Sequence, residues 1–132
     1  MCYDNPAIED YLKALAIQNN FAPLHRDLGL LYFQAKNYDS AITHLSKAAE
    51  LGLNDAELFN FLGISYSRVG AAQKAIESYQ EALVINPNLA EAHINLGYAY
   101  QSLGQRSRGQ IEYEAACRLD AKFCHYVEGH QQ

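Results

Sequence analysis

Tryptophan is absent from the 132 residues, proline and cysteine occur three times each, and only 19% of the chain is charged. So few prolines leave room for many uninterrupted helices. No stretch approaches the 18 or so consecutive apolar residues of a membrane-crossing helix, so no membrane insertion is expected. The start, Met1-Cys2-Tyr3-Asp4-Asn5-Pro6, has neither the basic opening nor the apolar run of a secretion signal. Positive charge is also scarce: 10 Lys and Arg stand against 15 Asp and Glu, a formal charge of -5. Nucleic acids and anionic membranes are bound chiefly through clustered cations, so neither is an expected partner. An odd number of cysteines argues against a disulfide framework and fits a reducing cytoplasm. A bridge between Cys117 and Cys124 would instead fit an oxidising space such as a periplasm. What the chain has in quantity is apolar side chain, 49% of its residues. At this length about two thirds of the unfolded surface can be hidden, enough for a core without staples.

The order of these residues is periodic. Leu28-Gly29-x-x-Tyr32 returns as Leu62-Gly63-x-x-Tyr66 and as Leu96-Gly97-x-x-Tyr100, with a step of 34 residues. Ala14, Ala48, Ala82 and Ala116 keep that step, as do Tyr11, Leu45, Tyr79 and Tyr113. Units therefore run over 22–55, 56–89 and 90–123, after a half unit at 1–21 and before a short tail or truncated helix at 124–132. Within a unit the apolar spacing is helical twice. Phe59, Leu62, Gly63 and Tyr66 follow i, i+3, i+4, i+7; Ala75, Tyr79, Ala82 and Leu83 follow i, i+4, i+7, i+8. Gly70 and Gly104 mark turns inside units, and Gly52 and Asn86-Pro87-Asn88 mark turns between them. Gly63 opposite Ala75 predicts a close approach of two helix backbones, intolerant of a larger residue. Gly109 and Gln110, where the other units have Ala and Ile, predict a weaker second helix in the last unit, since an interior glycine costs about 1 kcal/mol relative to alanine. Ala7, Ile8, Tyr11, Ala14 and Leu15 look like an interior helix left without its neighbour. Either the array is part of a longer one or its ends meet another copy.

This pattern resembles the tetratricopeptide repeat, whose skeleton is an aromatic, Leu-Gly, Tyr, Ala, aromatic, Ala and a closing Pro. Unit 56–89 carries all of it as Phe59, Leu62, Gly63, Tyr66, Ala75, Tyr79, Ala82 and Pro87. Unit 22–55 departs at His25, Leu45 and Leu53, and unit 90–123 at His93, Gly109 and Ala121. The resemblance implies an all-α fold, a right-handed α-solenoid of helix-turn-helix repeats.

Catalytic chemistry finds no foothold in the pattern. Gly104 to Gly109 has the glycine spacing of a phosphate loop, but Gln110-Ile111 follows where Lys-Ser/Thr is required. His25 and His93 occupy the slot of Phe59 and read as half-buried packing residues, while His44 reads as exposed. Cys117, Cys124, His125 and His130 could supply four zinc ligands, but their spacing matches no established pattern. The expectation is no metal, no cofactor and no enzyme. Cys117 falls in the slot of Leu15, Ala49 and Leu83 and reads as a packing residue.

The resemblance places the ligand surface on the first-helix stripe that faces away from the hairpin. It comprises Pro23, Arg26, Leu30, Phe33 and Gln34, then Glu57, Asn60, Ile64, Ser67 and Arg68, then Glu91, Ile94, Tyr98, Gln101 and Ser102. The family's clamp for chaperone tails would map onto Arg26, Leu30, Phe61, Glu91 and Asn95, where only Arg26 supplies a suitable charge and Glu91 repels a carboxylate. The apolar line Leu30, Ile64, Tyr98 framed by Arg26, Asn60, Arg68 and Gln101 suits an extended peptide or an amphipathic helix. The expected function is a non-enzymatic module for a protein or peptide partner, with self-association through the end helices. The alternative is a regulatory or substrate-holding arm of a larger enzyme, such as a repeat-bearing glycosyltransferase.

Overall fold

Side-chain caps start three of the α-helices. Asn5 accepts the Ala7 N–H at 3.0 Å and Pro6 takes the first helical position, where its missing N–H is no loss, so α1 runs Pro6–Ile17. The same logic starts α3 (Tyr38–Glu50) at Asn37 and α4 (Ala56–Arg68) at Asp55, whose side chains accept the N–H groups of Ser40 and Glu57. The remaining helices are α2 (Ala22–Gln34), α5 (Ala72–Ile85), α6 (Ala90–Ser102) and α7 (Arg106–Leu119), followed by a 3₁₀ turn at Ala121–Tyr126. The computed structural model describes residues 5–129, and no strand occurs among them.

Helices α2 and α3, α4 and α5, and α6 and α7 pair as hairpins stacked side by side, a right-handed α-solenoid. Two of the hairpin turns place glycine at a left-handed angle, Gly70 (φ 84°) and Gly104 (φ 76°), and the first places Lys36 there (φ 62°). A side chain with a Cβ is strained in that region, so the first turn is the least comfortable of the three.

Inside each hairpin the repeated residues meet. Leu28, Leu62 and Leu96 are buried, as are Ala41 and Ala75, the large residues Leu45, Tyr79 and Tyr113, and Ala48, Ala82 and Ala116. Burying each large side chain contributes about 1.5–3 kcal/mol. The close approach predicted at Gly63 is present, but its nearest neighbour differs from expectation. A Cβ at Gly63 would lie 2.5 Å from Cε1 of Tyr79, so the ring of Tyr79, rather than Ala75, fills the space. Gly29 meets Leu45 and Gly97 meets Tyr113 in the same way.

Both ends differ from the sequence expectation. Ile8 and Leu15 are not left open: they are buried against Leu28 of α2, with Tyr11, Leu24 and Leu31 around them. The exposed apolar residues at that end are instead Leu12, Ile17 and Phe21. At the other end α7 is a full 14-residue helix, as long as α5. Its glycine is a packing device, because a Cβ at Gly109 would sit 2.9 Å from the carbonyl oxygen of Gly97. Gln110 accepts the backbone N–H of Glu128 at 2.9 Å and so ties the tail back. Phe123, Tyr126 and Val127 cover Ile94, Tyr113 and Ala116. Cys117 and Cys124 form a disulfide, and Arg106 pairs with Glu128.

Candidate functional site

Helices α2, α4 and α6 pack in sequence as one row. Two depressions lie along it. The first, about 260 Å³, is lined by Arg26, Asp27, Leu30, Asp55, Glu57, Leu58 and Phe61. The second, about 410 Å³, is lined by Ile64, Ser67, Arg68, Tyr79, Asn95 and Tyr98. Leu30 and Ile64 are half-buried and Tyr98 is 63% exposed, an aromatic ring largely in solvent.

The two depressions differ in charge. In the first, Arg26 is held by its neighbour Asp27 at 3.1 Å, and Tyr11 of α1 donates to the same carboxylate at 3.4 Å. Asp55 and Glu57 stand at the start of α4, so three carboxylates face one guanidinium that is already paired. In the second, Arg68 lies 5.9 Å from the Tyr38 ring and is the one cation of the lining. Burial pushes the Tyr79 hydroxyl far above the ordinary tyrosine range, and Arg68 opposes that rise.

Of the fifteen residues read from the sequence as the ligand stripe, Arg26, Leu30, Glu57, Ile64, Ser67, Arg68 and Tyr98 line these depressions. Two others are beneath the surface: Ile94 is 7% exposed and Asn60 9%, with Asn60 accepting from the Asn95 amide at 3.0 Å to join α4 to α6. Phe33 packs edge-on against Phe61 at 5.0 Å and Tyr38 at 5.7 Å. Gln101 accepts from the Tyr113 hydroxyl at 3.4 Å and lies over Gly109. These four make contacts within the scaffold, Asn60 and Phe33 across to the neighbouring hairpin and Ile94 and Gln101 onto α7 of their own. The sequence reading missed Asp27 and Asp55. Helix-start chemistry could have found Asp55, since a capping Asp stands where the chain enters the face.

Elsewhere the histidines are more engaged than the sequence indicated. His44, expected in solvent, is half-buried, its ring 5.6 Å from Tyr32 and its Nδ1 3.2 Å from Nδ1 of His25. His93 is held by Glu112 at 2.8 Å and by the Pro87 carbonyl at 2.9 Å. The Glu112 hydrogen bond raises the His93 pKa, burial lowers it, the Pro87 carbonyl raises it again, and the rise prevails. The four-ligand zinc set does not assemble from its described members, because Cys117 and Cys124 are bonded to each other and His125 Nδ1 meets the Lys122 carbonyl at 2.8 Å. His130 lies outside the described residues. Among the described residues no three or more His, Cys, Asp or Glu converge as metal ligands, and no helix is long and apolar enough to cross a membrane.

The tetratricopeptide repeat model matches residues 20–86, and two further repeat models of that kind match 69–104 and 90–123. Among solved structures the chain is similar to one described as the crystal structure of MamA, with a TM-score of 0.87 and 28% identity over 90% of this chain and 70% of that one. A second MamA structure gives a TM-score of 0.81 and 27% identity over 96% and 69%. YrrB, described as a TPR protein with an unusual peptide-binding site, gives 0.81 and 24% identity over 87% and 59%, a likeness of fold. No curated protein matches the chain.

Proposed function

The chain belongs to the tetratricopeptide repeat family, and from that premise we propose that it is a non-enzymatic interaction module, holding a peptide or helix of a protein partner against α2, α4 and α6. The observation that carries this reading is the line of Leu30, Ile64 and Tyr98, with carboxylates at one end and Arg68 at the other. A tyrosine ring 63% exposed beside a half-buried isoleucine offers a ligand an aromatic contact. Rigid aromatic side chains are the common anchors of protein interfaces. The fitting ligand places an apolar side chain between Ile64 and Tyr98 and a lysine or arginine near Asp55 and Glu57. The disulfide at the end of α7 favours an oxidising compartment for this work. Self-association would proceed through α1, where Leu12 and Ile17 stand in solvent. Sedimentation tests it: a shift to monomer in Leu12→Ser/Ile17→Ser supports it, and a monomeric parent chain overturns it.

The groove is tested with a peptide library read by fluorescence anisotropy, using Tyr98→Ala and Tyr100→Ala. Tyr100 is half-buried against Ala75, Ile76, Tyr79 and Leu96, so its loss should lower stability by about 2–3 kcal/mol. Tyr98→Ala should leave the melt nearly unchanged and weaken peptide binding by about 1–3 kcal/mol. Peptides that bind the Tyr98→Ala chain as they bind the parent would remove the groove from consideration.

A further inference from the structure

The first hairpin contains a pair of imidazoles that shares no residue with either groove depression. His25 on α2 is buried and His44 on α3 is half-buried, with their Nδ1 atoms 3.2 Å apart. The ring planes differ by only 22° while the centroids are 5.5 Å apart. With the nitrogens that close and the centres that far, the rings meet tip to tip, the two Nδ1 atoms pointing towards each other. Nε2 of His25 is 2.7 Å from the carbonyl oxygen of Asn19. A carbonyl only accepts, so Nε2 carries the hydrogen and Nδ1 of the neutral ring presents its lone pair. Backbone carbonyls orient metal-binding histidines in this way.

The repeat supplies an internal comparison. In the third hairpin His93 donates through Nε2 to the Pro87 carbonyl at 2.9 Å, and its Nδ1 meets Glu112 at 2.8 Å. His25 and His93, Asn19 and Pro87, and His44 and Glu112 are each two repeat lengths apart. One wiring serves both hairpins, but the first has a second imidazole where the third has a carboxylate. That exchange replaces an ion pair with two nitrogen donors.

The geometry points to a transition-metal site in which the Nδ1 atoms of His25 and His44 bind a divalent ion such as Zn²⁺. With Zn–N bonds of about 2.0–2.1 Å and a tetrahedral angle, two ligand nitrogens sit about 3.3 Å apart, close to the spacing present before any metal arrives. Binding requires no redox partner. His44 moves its ring hydrogen from Nδ1 to Nε2, which frees the second lone pair, and its ring tilts about a broad terminal torsion. The ring borders an open cavity of about 450 Å³ that also includes Asn20, Thr43 and Glu50. Two coordination positions remain for water, so the site is an open one. Lys47 shares the cavity wall, and its exposed ammonium can extend on its long stem into water. Imidazole donors select zinc, copper or nickel over calcium and magnesium, which take oxygen ligands.

The test uses the full chain with Cys2→Ser and His130→Gln, so that donors near the termini do not contribute, and Zn²⁺ alone as the probe. Calorimetry should show one ion bound, with a rise in Tm of roughly 5–10 °C at a hundredfold excess over Kd. His44→Gln keeps the fold, because its amide N–H can still donate to His25, and should weaken Zn²⁺ binding at least tenfold. His93→Gln should leave that binding unchanged. Absence of binding by the parent chain, or equal binding by His44→Gln, overturns the assignment.

Discussion

Replacing Gly63 with alanine sets two effects of opposite sign against each other. Gly63 lies inside α4, and a helix interior favours alanine over glycine by about 1 kcal/mol. On that ground alone the substitution stabilises. The added Cβ, however, would stand 2.5 Å from Cε1, 2.6 Å from Cδ1 and 3.0 Å from Cζ of Tyr79, three atoms of one ring. That ring is 2% exposed and locked among Ala75, Ile76 and Leu96, so it cannot swing aside as a flexible side chain would. Relief requires α4 and α5 to part, and overpacking of this kind costs about 1–3 kcal/mol. The net expectation is a loss of up to about 2 kcal/mol, or a fall in Tm of up to about 10 °C for a chain of this size. Urea and thermal melts of the two proteins, followed by far-ultraviolet circular dichroism, measure it directly. A Gly63→Ala protein more stable than its parent would refute the contact between Gly63 and Tyr79 as the reason for glycine there.

Three other outcomes follow from single features. Lys36→Gly should stabilise by about 0.5–1 kcal/mol in a urea melt, because Lys36 holds φ 62° in a turn where Gly70 and Gly104 stand in the other hairpins; a loss of stability would show that the Lys36 side chain makes up for the strain. The raised pKa of His93 means that its contribution to stability is complete below the ordinary histidine value, about 6.5, and is lost as pH rises through the folded value. A pH series of melts should therefore show a decline as pH rises above about 6.5 that His93→Gln lacks, and parallel curves would contradict the Glu112 pairing. Reducing the Cys117–Cys124 bridge should cost about 2 kcal/mol from its short loop and expose the amides of residues 121–127 to hydrogen exchange first; unchanged melts and exchange would show that the turn is held by packing alone.

The alternation of the two helices was legible because each repeated residue has one job at one angle. Leu62, Gly63 and Tyr79 announce the hairpin by spacing, and their contacts follow from it. Residues whose role comes from a neighbouring unit were harder to read. Asn60 and Ile94 share a helix face with Ile64 and Tyr98, yet the Asn95 amide of the next hairpin engages Asn60 and the tail residues Phe123, Tyr126 and Val127 cover Ile94, and no periodicity within one unit contains those facts. Gly109 read as a weak point because helix propensity is local, whereas its function, approach to the Gly97 carbonyl, is tertiary. The tail was opaque for a similar reason. Gln110 is an anomaly in the repeat until Glu128 folds back to use it.

The sulfur bridge at the end of the array also decides how the molecule would yield to force. Tension applied between the two ends enters α7 at Cys117, since the covalent link to Cys124 bypasses the residues between them. The terminal turn then bears no load of its own and cannot peel away as a first step. At the opposite end α1 is clasped by α2, and among the described residues no crosslink fastens it. Stretching should therefore unravel this protein from its beginning, one hairpin after another, with the segment 118–123 missing from the extended length until the bridge is cut.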